Sequence, residues 1–165
     1  MDIIHQNKKG NRTFYLDQKK NYCIYDIPDI VAVLPVLPDG QVILVEQYRV
    51  PANERTVELV CGGIEKGEKV EHAAKREVEE EIGYKTKELK KIGEYVSCPA
   101  YTTEKVHVFL AYIEENIGQK LEEHEVENDL QKIVVSIDEA LVLCQKRKIR
   151  PELELALLKL QQNAF

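Results

Sequence analysis

The sequence predicts an α/β (α+β) fold, a mixed sheet covered by helices on both faces, and three observations carry that prediction. Two β-rich runs, residues 30–37 and 41–47, flank Pro38-Asp39-Gly40, a strong hairpin turn. A helical segment follows, with small and apolar residues at Val70, Ala73, Ala74, Val78 and Ile82 on one stripe. After a second pair of strands, two more helical segments close the chain. Strands interleaved with helices in 165 residues need one shared core, and a sheet between helix layers supplies it.

From the N terminus, residues 14–16 and 22–25 read as short strands around the polar turn 17–21. They belong to a β arm, residues 1–29, ahead of a main domain, residues 30–165. Gly62 and Gly63 read as a flexible lead-in and Glu65-Lys66-Gly67-Glu68 as a turn into the helix, while Gly83 suits a C-cap that needs φ > 0. Strands 89–96 and 106–113 bracket a loop, 97–105, and the acidic run 122–129 reads as a solvated loop. Ser136-Ile137-Asp138-Glu139 is a capping box that opens a helix through residue 146, and Pro151 sits in the first turn of the last helix.

Composition narrows the function. Hydrophobic content of 44% beside 32% charged residues describes a soluble globular chain. No apolar run approaches the roughly 18 residues that span a bilayer, and Met1-Asp2-Ile3-Ile4-His5 lacks the basic start and apolar core of a secretory signal, so a cytoplasmic location is expected. A net charge of −6 argues against broad nucleic-acid binding, which needs a basic patch. Cys23, Cys61, Cys98 and Cys144 form no CxxC pair, so neither a zinc ribbon nor a redox motif is present and reduced thiols are expected. His5, His72, His107 and His124 are scattered, and none is assigned a catalytic role.

The residues that carry chemistry lie on the first helix. At 100° per residue from Val70, Glu81 falls near about 20°, Glu77 near about 340° and Glu80 near about 280°, so two carboxylates sit inside the buried stripe and one at its edge. Like charges at this spacing repel, and desolvation adds to the cost. A hard divalent cation removes the conflict. Oxygen-only ligands, with no His or Cys at suitable spacing, point to Mg²⁺, which Mn²⁺ can replace. Arg76, four residues before Glu80, is placed to pair with that carboxylate and hold its rotamer.

Residues 62–84 read GGIEKGEKVEHAAKREVEEEIGY, a G-x5-E-x7-R-E-V-x-E-E-x-G pattern carried by Gly62, Glu68, Arg76, Glu77, Val78, Glu80, Glu81 and Gly83. This segment resembles the signature of the Nudix hydrolases, with Tyr84 standing where that family has Ile, Leu or Val. Gln47-Tyr48-Arg49 and Glu58-Leu59-Val60-Cys61-Gly62 look like the QYR and E-x-P-A-G segments of the ADP-ribose pyrophosphatase branch, with Val60-Cys61 in place of Pro-Ala. Ser97-Cys98-Pro99-Ala100-Tyr101-Thr102-Thr103-Glu104 is similar to that branch's S-P-G-x-S-D-E loop, with Cys-Pro-Ala for Pro-Gly.

The resemblance implies an α/β/α sandwich with a short N-terminal β arm, and Mg²⁺-dependent hydrolysis of ADP-ribose to AMP and ribose 5-phosphate. It implies a metal site of Glu77, Glu81 and the Cys61 carbonyl, with Glu80 binding metal directly or through water and Glu68 ordering the loop or supporting a metal through water. Arg49 and Glu58 are implied to bind substrate, Arg49 at a phosphate. Pro99 is implied to stiffen a substrate-binding loop, and Glu104 to position or activate water. Catalysis thus falls to Glu104, Glu80 and Arg76. The arm supplies Phe14, Tyr15, Tyr22 and Tyr25 as candidates to stack on adenine, and a homodimer is expected because in that branch the arm often completes a partner's site. The alternatives are another nucleoside diphosphate sugar such as GDP-mannose or, from a different class, a domain that senses nucleotide sugars without turnover.

Overall fold

Alternation along one central strand sets the layers. In the computed structural model, which describes residues 1–146 and 151–162, strand β4 (Ile30–Val36) is buried on both faces. Its Val31 and Val33 point to one core, and Ala32 and Leu34 to the other. A strand in that position needs a near-continuous apolar run, and IVAVLPV provides it.

Around it lie β5 (Val42–Arg49), β6 (Glu54–Glu58), β7 (Val60–Gly63), β8 (Tyr84–Val96), β9 (Lys105–Asn116) and β10 (Gln131–Val135). The order is β10-β5-β4-β9-β8, with β6 on β5 and β7 on β4. β4 runs parallel to β9, with Ala32 opposite Val108, and the other pairs are antiparallel, so the sheet is mixed. Helix α1 (Val70–Glu77) covers one face through Ala73 and Ala74. The short helix α2 (Glu123–Glu127) precedes β10, while α3 (Ile137–Lys146) and α4 (Pro151–Gln162) cover the other face through Ala140, Leu153 and Leu157. The expected mixed sheet between helix layers is thus present. No helix among the described residues is long and apolar enough to cross a membrane.

Ahead of this sheet, β1 (Asp2–Gln6), β2 (Thr13–Asp17) and β3 (Tyr22–Asp26) form a separate three-stranded sheet. Its inner edge is stitched to the loop between β8 and β9. The Tyr25 N–H donates to the Tyr101 carbonyl (2.6 Å), and the Thr103 N–H donates to the Tyr25 carbonyl (3.2 Å).

Several elements differ from the sequence reading. Gly62 and Gly63 are the end of β7, paired with β4, and not a flexible lead-in. The acidic run 122–129 contains α2, too short at five residues to show a helical period. β6 and β10 are five-residue strands whose pairing comes from β5 on either side. β8 begins at Tyr84 because it pairs with β9 as far back as Asn116.

The helix carrying the carboxylates also changes form. After Glu77 it widens into a π-helical stretch, Val78–Ile82, which keeps Val78 and Ile82 wholly buried. Its last carbonyls are all engaged. Gly83 N–H donates to the Glu79 carbonyl, Lys120 N–H to Glu80 (2.9 Å), Gln119 Nε2 to Glu81 (2.5 Å), Lys132 Nζ to Ile82 (2.9 Å) and Ile117 N–H to Gly83 (2.7 Å). Residues 117–120 therefore strap the end of this helix, and Gly83 makes the strap possible. Its φ is +75°, and a Cβ there would collide with the backbone of Gly118 and Gln119. Gly83→Ala is expected to cost about 2–4 kcal/mol, combining backbone strain with overpacking. Thermal unfolding checks this, and an unchanged melting temperature would show that the strap does not pack against residue 83.

Candidate metal and substrate site

Three carboxylates leave water together beside a cleft of about 360 Å³, whose wall includes two of them, Glu77 and Glu125. Glu77, Glu81 and Glu125 are 6%, 2% and 5% exposed, and one oxygen from each lies within 4.8 Å of the others. Burial, only partly opposed by Arg76, raises the Glu77 pKa to about 7. Burial first, then the Glu77 and Glu125 charges, pushes Glu81 well above the usual carboxylate range. Glu125 is raised as well, again mainly by burial. Oε2 of Glu81 is buried with no hydrogen-bond partner among the described residues. Oxygen-only donors at this spacing, one of them orphaned, fit a hard divalent cation such as Mg²⁺ or Mn²⁺.

Arg76 organises the surrounding acids. Its Nε and Nη2 donate to the two Glu68 oxygens (3.0 and 3.1 Å), Nη1 to Glu77 (2.6 Å) and Glu80 (2.9 Å), and Nη2 also to the Gly63 carbonyl (2.9 Å). All five guanidinium N–H groups are used. The pairing with Glu80 is the one expected from spacing, and the bond to Glu68 is the main cause that raises the Arg76 pKa. The Glu65 N–H also donates to Glu68, so Glu68 orders the turn before α1.

Strand β7 brings its backbone to the same carboxylates. A Cβ at Gly62 would overlap the Glu77 carboxyl group, so only glycine lets the strand pass this close. Cys61, opposite Ala32, makes a backbone hydrogen bond to Glu81. The N–H and C=O of one strand residue point to the same side, so the Cys61 carbonyl is directed away from β4, toward the acidic cluster.

Arg49 lines the cleft from another wall. Its Nε and Nη2 grip both oxygens of the buried Glu58 (2.7 Å each). Glu58 also accepts from Thr56 Oγ1, so it reaches the cleft through Arg49. Glu104 lines the cleft half-buried, while Pro99 is exposed at the start of a turn in which Tyr101 and Thr102 N–H donate to the Cys98 carbonyl. Glu80 faces a neighbouring pocket with His72, Lys75 and Lys120.

Of the residues that the sequence singled out, the fold brings Glu77, Arg49, Cys61 and Glu104 around one cleft, with Glu81 packed against Glu77, while Glu125 was missed. Its available signal was the Glu122…Glu125 spacing of a capping box, in which Glu125 accepts the Glu122 N–H. That spacing reveals a helix start and says nothing of where the helix lands.

Residues 27–156 match the family model described as NUDIX domain. The chain is 40% identical over 124 residues to the ADP-ribose pyrophosphatase of Bacillus subtilis, covering 74% of this chain and 65% of that relative. It is 30% identical over 124 residues to the methanol dehydrogenase activator of Bacillus methanolicus, with the same coverage. It is 45% identical over 74 residues to the mouse ADP-sugar pyrophosphatase, covering 42% of this chain and 31% of that relative. The chain thus spans just under two thirds of the length of the two bacterial relatives.

Because the folded pKa of Glu77, Glu81 and Glu125 is raised, their contribution favours folding below about pH 4.5 and is lost as pH rises through the folded values, about 7 for Glu77. Metal-free protein is expected to lose roughly 5 °C or more in melting temperature between about pH 5 and 8, and millimolar Mg²⁺ or Mn²⁺ to restore it at pH 8. A flat profile, insensitive to metal, would show that these carboxylates are not desolvated together.

Proposed function

From the premise that the chain belongs to the NUDIX family, matched over residues 27–156, we propose that it hydrolyses the diphosphate bond of ADP-ribose, giving AMP and ribose 5-phosphate. The observation that carries this reading is the buried Glu77–Glu81–Glu125 cluster, two of whose members, Glu77 and Glu125, line a cleft together with Arg49. The names of the Bacillus subtilis and mouse relatives support the same substrate class.

Glu77, Glu81, Glu125 and the Cys61 carbonyl would hold Mg²⁺, or Mn²⁺ in its place, with Glu80 assisting directly or through water. A bound dication supplies neutralisation of the diphosphate oxygens and a more acidic water. Arg76 holds the carboxylates in register through Glu68, Glu77 and Glu80. Glu58 fixes the rotamer of Arg49, which then meets a phosphate as a preset cation. Glu104 orients the attacking water or takes its proton, and Pro99 stiffens the turn in the loop that carries Glu104.

Residues 1–29 act as a dimerisation arm for residues 30–165. The exposed Ile3, Ile4, Phe14 and Tyr22 suit contact with a second copy. Four free cysteines suit a reducing compartment, the cytoplasm.

Glu81→Gln is expected to lower turnover by about a thousandfold or more while leaving unfolding cooperative. Near-normal activity in that variant would remove the cluster from catalysis. Glu125→Gln should weaken both metal affinity and turnover, whereas Glu104→Gln should lower turnover with metal affinity kept; calorimetry beside initial rates separates the two roles. A substrate panel quantifying AMP and GMP distinguishes ADP-ribose from GDP-mannose.

A further inference from the structure

The cleft is short of available positive charge. Glu65, Glu77, Glu104, Glu122 and Glu125 all line it. Of the arginines in its main walls, Arg76 is saturated by three carboxylates and a carbonyl, and Arg49 still faces the cleft but with its charge balanced by Glu58. His124 lies 3.2 Å from Glu122. A diphosphate entering such a cleft meets repulsion from these carboxylates.

The remaining cations come from the turn between β1 and β2. Lys9 and Arg12 line the cleft together with Asn11, and neither has a carboxylate partner among the described residues. The turn that carries them is preset. Asn7 Oδ1 accepts the N–H groups of Asn11 and Arg12 (3.1 Å each), and Asn7 N–H donates to the Arg12 carbonyl (3.0 Å). Gly10, at φ +69°, donates its N–H back to the Asn7 carbonyl. The sheet holding this turn is tied to the Glu104 loop of the same chain, through Tyr25 with Tyr101 and Thr103, and through Thr103 Oγ1 donating to Asp26 (2.8 Å).

We propose that the β1–β2 turn binds the anionic oxygens of the substrate's diphosphate through Lys9 and Arg12, and that it does so in the cleft of its own chain. This rests on the hydrolase reading above and adds the residues that offset the cleft's negative charge. Such contacts tighten ground-state binding more than they stabilise bond cleavage, so KM rises more than kcat falls when they are removed.

The test is the double variant Lys9→Ala/Arg12→Ala, beside the charge-keeping Lys9→Arg/Arg12→Lys. Isothermal titration of inorganic pyrophosphate with Mg²⁺ present should show binding about tenfold weaker in the alanine variant and close to wild type in the charge-keeping one. Equal binding by all three proteins overturns the proposal. Mixing the alanine variant with Glu81→Gln protein then tests which chain the turn serves. A mixture that retains the alanine variant's high KM for ADP-ribose supports action within one chain, and the appearance of low-KM activity overturns it. If wild-type protein binds pyrophosphate through the turn but does not hydrolyse ADP-ribose, the hydrolase reading fails and this one stands.

Discussion

Carboxylates removed from water repel one another, and the molecule is arranged around that constraint. Glu77, Glu81 and Glu125 converge on a space where each resists ionisation. Arg76 relieves only part of the conflict, because its five donors are spread over Glu68, Glu77, Glu80 and the Gly63 carbonyl. Glu81, the most deeply buried of the three, keeps an oxygen with no hydrogen-bond partner among the described residues. A group held in that condition costs stability unless something binds it.

Two glycines and one strap make the convergence possible. Gly62 lets β7 run against the Glu77 carboxyl group, which brings the Cys61 backbone to Glu81. Gly83 lets residues 117–120 lie across the end of the acidic helix, where they and Lys132 engage its carbonyls. The chain then passes through Leu121, packed against the α1-side core, into α2 and places Glu125 in the cluster. Geometry at the site is therefore set by backbone packing more than by the carboxylates themselves. In this respect the π-helical stretch Val78–Ile82 fits its surroundings, since it seats Val78 and Ile82 in the core while Glu81 faces the cluster.

What the sequence revealed follows from how local each feature is. Glu77, Glu81 and Arg76 were legible because stripe, spacing and flanking glycines all lie within residues 62–84. The hairpin around Pro38-Asp39-Gly40 and the capping box at Ser136 were legible for the same reason. Glu125 was not, because its burial depends on a segment some forty residues beyond Glu81 that docks through backbone hydrogen bonds, which leave little mark on residue type. β6 and β10 were missed because five-residue strands with partly polar faces look like loops until β5 is placed between them. Lys9 and Arg12 had no role assigned from the sequence, because only the fold brings them to the cleft.

The central claim is that a dication takes the place of protons on the crowded carboxylates, and calorimetry reads this directly. Mn²⁺ titrated into metal-free protein near pH 7, in two buffers of different ionisation enthalpy, should bind with release of about one proton or more per site. Failure to bind, or heats that are identical in the two buffers, would contradict it.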